Sequence, residues 1–151
     1  EPVVRDCQVE TDLDIMIPDA YIRNISERLS LYSELARVQN EIDLEAFANR
    51  MEDRFGKLPR QVRDLVRSIR LKWLGKALGF EKLSVRQKTL NGWFTKDDKY
   101  FQGEVFGKIL EYIRIHSDEA ILKQTNDVLL LKIKNVNSLE AALQLLEQMG
   151  N

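Results

Sequence analysis

Cysteine and histidine are nearly missing: the 151 residues hold one of each, Cys7 and His116. A single cysteine excludes an intramolecular disulfide, and one cysteine with one histidine cannot furnish a four-ligand Cys/His zinc site. Reduced, cytoplasmic surroundings fit such a composition best. Apolar runs are short, and none approaches the roughly 18 residues of a membrane-spanning helix. No glycine-rich loop precedes a Lys-Ser or Lys-Thr pair, so a Walker-type phosphate cradle is lacking. No low-complexity stretch occurs. The chain starts at Glu1 without a methionine or a signal peptide and reads as a piece of something longer.

What is present is a globular composition, 44% hydrophobic and 31% charged, of a size to bury a self-supporting core. The net charge of −1 hides an asymmetry. Residues 1–56 carry 13 acids and 6 bases, residues 57–88 carry 10 bases and 2 acids, and residues 89–151 carry 9 acids and 7 bases. The central basic block suits a nucleic-acid surface. It better suits a solvated helix face beside an acidic neighbour, and no aromatic residue is interleaved with its arginines for base stacking.

Alternation of Val9, Leu13, Ile15 and Ile17 predicts a strand. Pro18 then opens an amphipathic helix over about 19–38, with a stripe of Ile22, Ile25, Leu29, Tyr32 and Ala36. Asp43 is expected to cap a second helix, whose stripe is Leu44, Phe47, Ala48, Met51 and Phe55, with Gly56 just past its end. Asp53 lies opposite that stripe, Asn49 and Arg50 flank Asp53 on the solvent side, and Phe55 is expected to be buried at a helix–helix junction. A third helix runs from Pro59 to Gly79, burying Val62, Leu65, Val66, Ile69 and Trp73 and wetting Arg60, Arg63, Arg67 and Arg70. Beyond Gly79 the period changes. Leu83, Val85 and Gln87 alternate, and Asn91-Gly92 signals a hairpin returning through Trp93-Phe94. A helix around Val105–Ile113 follows, then a hairpin of Ile121–Lys123 with Leu129–Ile133 across Thr125-Asn126-Asp127. A last helix through Leu139–Met149 is capped by Asn137 or Ser138. Residues 80–116 and 118–149 thus each read strand–strand–helix. The expected fold is α+β: one domain over 1–151, with a helical half (1–79) packed on a mixed, mostly antiparallel sheet-plus-helix half (80–151).

Candidate chemistry is sparse. His116 sits where a helix ends and suits the helix dipole. Cys7 reads as a small buried hydrophobe. Asp12 and Asp14 share the polar side of a strand without further ligands for a metal, and Asp97-Asp98 reads as a turn. The pattern predicts no active site, no metal and no cofactor.

Three segments carry a resemblance: Ile17-Pro18-Asp19-Ala20-Tyr21-Ile22, then Arg28-Leu29-Ser30-Leu31-Tyr32, then Asp53-Arg54-Phe55-Gly56-Lys57-Leu58-Pro59. In order and spacing they resemble the C-terminal domain of the bacterial transcription-repair coupling factors. The clearest agreement spans residues 13–80. The resemblance implies a parent that is a large ATP-dependent DNA translocase, cytoplasmic, which removes stalled RNA polymerase at lesions and recruits UvrA. It implies that this domain is a non-catalytic regulator that packs on an N-terminal UvrB-like module, masks the UvrA-binding surface and restrains the motor. The family contact sets acids of the Asp-Arg-Phe-Gly helix against basic residues of that module. Asp53 matches, while Arg50 stands where the family commonly has a second acid. Glu52 is a displaced substitute on another side of the helix. The implied interface is therefore Asp53, Glu52, Arg50, Asn49 and Arg54. Arg54 equally suits a local acid, and packing explains Tyr21, Arg28 and Tyr32 equally well. The alternative function is nucleic-acid binding by the Arg60, Arg63, Arg67 and Arg70 face.

Overall fold

A computed structural model describes residues 3–151. Its described elements are β1 (Gln8–Thr11), α1 (Ile25–Ala36), α2 (Glu41–Phe55), α3 (Arg60–Leu78), β2 (Phe80–Arg86), β3 (Thr89–Phe94), a single 3₁₀ turn (Tyr100–Gln102), α4 (Glu104–Ile115), β4 (Ala120–Thr125), β5 (Val128–Lys134) and α5 (Leu139–Gly150). The class is α+β, as the sequence predicts. Two compact units divide the chain: Asp14–Arg67, and the remainder comprising residues up to Leu13 and from Ser68 onward.

The helical unit holds α1, α2 and the first two turns of α3. Its strand-like opening does not persist: β1 ends at Thr11, and Asp14 Oδ1 accepts from Met16 N–H at 3.1 Å. Local side-chain turns of this kind compete with a ladder. Pro18 starts a turn rather than a long helix, its carbonyl accepting from Tyr21 and Ile22 N–H. Asn24 then caps α1. Ile22 lies before that cap, so the expected stripe does not carry through it in phase. Leu35 is the buried residue of α1, while Ile25 and Leu29 are 63% and 60% exposed. The cap of α2 is Asn40, whose Oδ1 accepts from Asp43 N–H at 2.8 Å; Asp43 sits one turn inside. Leu44, Phe47 and Met51 are buried as the stripe requires.

The other unit holds the sheet and the remaining helices. Strand order is β1-β2-β3-β5-β4, with β1–β2 parallel and the other pairs antiparallel. Both strand–strand–helix segments are present. The first hairpin, however, turns at Gln87-Lys88, both with positive φ (50° and 58°), and Asn91-Gly92 lies inside β3. Gly92 is there because the Phe80 ring occupies the space of its missing side chain: an added Cβ would lie 2.7 Å from Phe80 Cδ1. Register places Leu83, Val85, Leu90, Leu131, Ile133 and Ala120 on one face, and all six are buried. Buried Ile109 of α4 and Leu139, Leu143 and Leu146 of α5 complete this core. The opposite sheet face sets Lys82, Arg86, Trp93, Leu130, Lys132 and Lys134 around buried Ser84.

Candidate functional site

The C-terminal end of α2 is built from the three sequence segments noted above. Gly56 closes the helix at φ 95° and ψ −177°, a region that is essentially glycine-only. Its N–H donates to Glu52 O at 2.9 Å. Tyr21 Oη donates to Gly56 O at 2.7 Å and lies 3.3 Å from Met51 O, tying Tyr21 to the last turn of α2 and its cap. Arg28 Nη1 donates to Ile22 O at 2.6 Å and to Arg23 O at 3.0 Å, and Tyr32 Oη accepts from Ile17 N–H at 2.6 Å. These three residues thus hold the segment 17–23 and the end of α2 in place.

Phe55 corrects one expectation: it is half-buried. As the last residue of α2, its ring is flanked by Tyr21 edge-on, with centroids 6.0 Å apart, and by the Arg54 guanidinium at 4.8 Å.

The arginines of this helix end are used locally. Arg54 pairs with Glu27 and Arg50 with Glu34. Glu27 and Glu34 are seven residues apart on α1, so they share a face, and α2 answers with bases four residues apart. The Arg50–Glu34 pair is exposed, so it is worth no more than about 1 kcal/mol, whereas Glu27 is 26% exposed beneath Arg54. Sequence reasoning missed Glu27 and Glu34; their seven-residue spacing was the available signal. Asn49, Glu52 and Asp53 are exposed. Neither Glu52 nor Asp53 has an ion pair among the described residues. Burial raises the Tyr21 hydroxyl pKa above its ordinary value, and the Glu52 charge adds to that. An acid in the last turn of a helix opposes the dipole, so the fold itself gains nothing from Asp53.

The arginine face of α3 is less available than its pattern suggests. Asp64, 4% exposed, accepts from Arg60 at 2.8 Å and from Arg67 at 2.9 Å. Arg63 Nη1 donates to Leu58 O at 2.7 Å. Arg70 is half-buried and engaged in its own interactions. The Asp64 clamp went unread in the sequence, although the four- and three-residue spacings to Arg60 and Arg67 encode it. His116 Nδ1 lies 2.9 Å from Tyr112 O, with its ring stacked on Tyr112 at 4.0 Å, a helix-end arrangement. Cys7 is fully buried. Asp97 Oδ1 accepts from Lys99 N–H within a turn. Among the described residues no three His, Cys, Asp or Glu side chains gather as a metal site, and no helix is long and apolar enough to cross a membrane.

The family model described as TRCF domain matches residues 11–103. The chain belongs to the TRCF domain family. This TRCF domain is 31% identical over 139 residues to a transcription-repair-coupling factor of Rickettsia conorii, covering 91% of the chain and 12% of that relative. It is 35% identical over 81 residues to the transcription-repair-coupling factor of Escherichia coli, covering 54% of the chain and 7% of that protein. The chain therefore spans a small fraction of the length of these bacterial relatives. The crystal structure of a C-terminal domain of transcription-repair coupling factor has the same fold, with a TM-score of 0.76 over 96% of the chain and 89% of that domain, at 16% identity.

Proposed function

We propose that this TRCF domain is a non-catalytic regulatory domain, acting as one module of a cytoplasmic, ATP-driven transcription-coupled repair translocase. In this reading it packs on the protein's own N-terminal UvrB-like module, masks UvrA binding and restrains the motor until RNA polymerase is engaged at a lesion. The observation that carries the reading is the exposed end of α2. Asp53 and Glu52 stand without ion pairs among the described residues, while Arg50 and Arg54 beside them are neutralised by Glu34 and Glu27. That neutralisation leaves an acidic point for a basic partner despite the loss of the family's second acid at Arg50. A tethered contact has an effective concentration on the order of millimolar, so one weak between separate chains still masks a site.

The test compares UvrA affinity for three full-length proteins: wild type, Asp53→Arg and Arg50→Glu. Losing one member of a desolvated charge pair costs about 2–5 kcal/mol of binding. Asp53→Arg is therefore expected to open the masked state and raise UvrA affinity and basal ATPase activity. Arg50→Glu restores the second acid and is expected to lower UvrA affinity. Equal affinity in all three, with folding intact, removes α2 from the interface. The alternative built on Arg60, Arg63, Arg67 and Arg70 is weakened by the Asp64 clamp.

A further inference from the structure

The polar face of the sheet concentrates positive charge around one tryptophan. Register places Lys82 and Arg86 of β2, Trp93 of β3, Lys132 and Lys134 of β5 and Lys123 of β4 on it together. Glu10 is the one acid that the strand pairing adds to this face. It is already shared between Lys82 at 3.2 Å and Arg86 at 3.7 Å. Lys123, Lys132 and Lys134 have no ion pair among the described residues, and Lys134 is exposed. Trp93 is half-buried, with Lys82 Nζ over its ring, 4.6 Å from the centroid, and Leu130 directly across on β5. A depression of ≈ 760 Å³ borders Trp93 and Lys82 at the sheet edge; Arg5 and Lys96 line it along with the acids Asp6 and Glu81.

We propose that this open sheet face binds single-stranded nucleic acid, with Trp93 as the stacking platform and Lys123, Lys132 and Lys134 as phosphate contacts. Lysines without acid partners attract a polyanion, and the Trp93 ring, from which a stacking base displaces the Lys82 ammonium, selects one with exposed bases. An acidic polypeptide satisfies the lysines but leaves Trp93 unused. A duplex satisfies the phosphate contacts but hides its bases in the stack. This surface shares no residue with the α2 site, so its failure leaves the masking proposal untouched, and the reverse holds too.

Anisotropy of a fluorescein-labelled oligodeoxythymidylate about 12 nucleotides long, titrated with the 151-residue chain across a salt series, tests it. Binding is expected to be tighter than to the same-length duplex and to weaken with salt. The double variant Lys132→Glu with Lys134→Glu is expected to weaken it about 10-fold or more and to lower the log–log salt slope by about 1.4, or about 0.7 for each phosphate no longer neutralised. Trp93→Ala is expected to weaken it about 10-fold with the slope unchanged. Lys57→Glu, elsewhere in the basic block, leaves affinity within about twofold, and circular dichroism checks that every variant is folded. No binding at low salt overturns the proposal, as does binding indifferent to both the lysine and Trp93 changes. Equal competition by polyglutamate with no effect of Trp93→Ala also overturns it and assigns the face to an acidic protein partner.

Discussion

Gly56 and Tyr21 show how single residues set the geometry of the α2 site. No atom lies within 4 Å of a Cβ built on Gly56, so Gly56→Ala meets no clash and its penalty is backbone strain alone. We expect a loss of about 1–3 kcal/mol in urea unfolding. Tyr21→Phe keeps the edge-on ring contact with Phe55 but removes the hydroxyl from Gly56 O. It should cost about 1 kcal/mol by the same assay. Cys7 belongs to this scale too. Burial, with a smaller push from Asp6, raises its thiol from 9.0 to about 12. The folded chain keeps a proton that the unfolded chain releases near 9.0, so the stabilisation is full below that pH and falls as pH rises toward 12. Urea midpoints at about pH 8 and about pH 10 should show the decline, and a Cys7→Ala variant should lose part of it. At about pH 8 the native thiol should resist alkylation until the chain unfolds.

At the scale of elements, caps and turns decided what periodicity left open. Asn40 and Asp43 are both good capping residues, and both lie near the start of α2. The backbone at Asn40 is extended (φ −150°, ψ 167°), as a cap requires, while Asp43 is already helical. Asn40→Ala is therefore expected to cost about 1 kcal/mol and Asp43→Ala clearly less, read from thermal or urea midpoints. In the β2–β3 hairpin, two residues of positive φ are neither asparagine nor glycine. The turn is held from outside by Asp12 Oδ2, which accepts from Gln87 N–H at 2.9 Å, and by Val136 N–H, which donates to Lys88 O at 2.9 Å. Gln87→Asn with Lys88→Gly should relieve the strain and stabilise the chain by about 1 kcal/mol. The Asn91-Gly92 signal misled because it reports only local preference. Its glycine answers a packing need set by Phe80, twelve residues earlier in the chain.

For the whole molecule, the separation between folding and function is the testable point. Asp53 is exposed and locally unfavourable at a helix C-terminus, so Asp53→Arg should shift the stability of the isolated chain by no more than about 0.5 kcal/mol. The same change in the full-length protein should alter UvrA affinity. A variant that melts like wild type yet binds UvrA differently places the effect at an interface; a variant that unfolds places Asp53 in the fold. The compact units also cut the chain differently from a break at Gly79. The boundary after Arg67 falls inside α3, and β1 joins the sheet as the parallel neighbour of β2.

By itself the sequence determined the class, the buried Leu44, Phe47 and Met51 of α2 and the stripe of α5, the two strand–strand–helix segments and the exposed acids at the end of α2. Each of these rests on short-range periodicity or on a local motif, which a chain carries within about four residues of any position. Tertiary structure alone decided the rest. It paired Arg50 and Arg54 with acids of α1. It also gathered Trp93 with lysines from three other strands. Partners that lie tens of residues apart meet only through the order and register of whole elements, and that order is fixed by burial of the core rather than by any local preference.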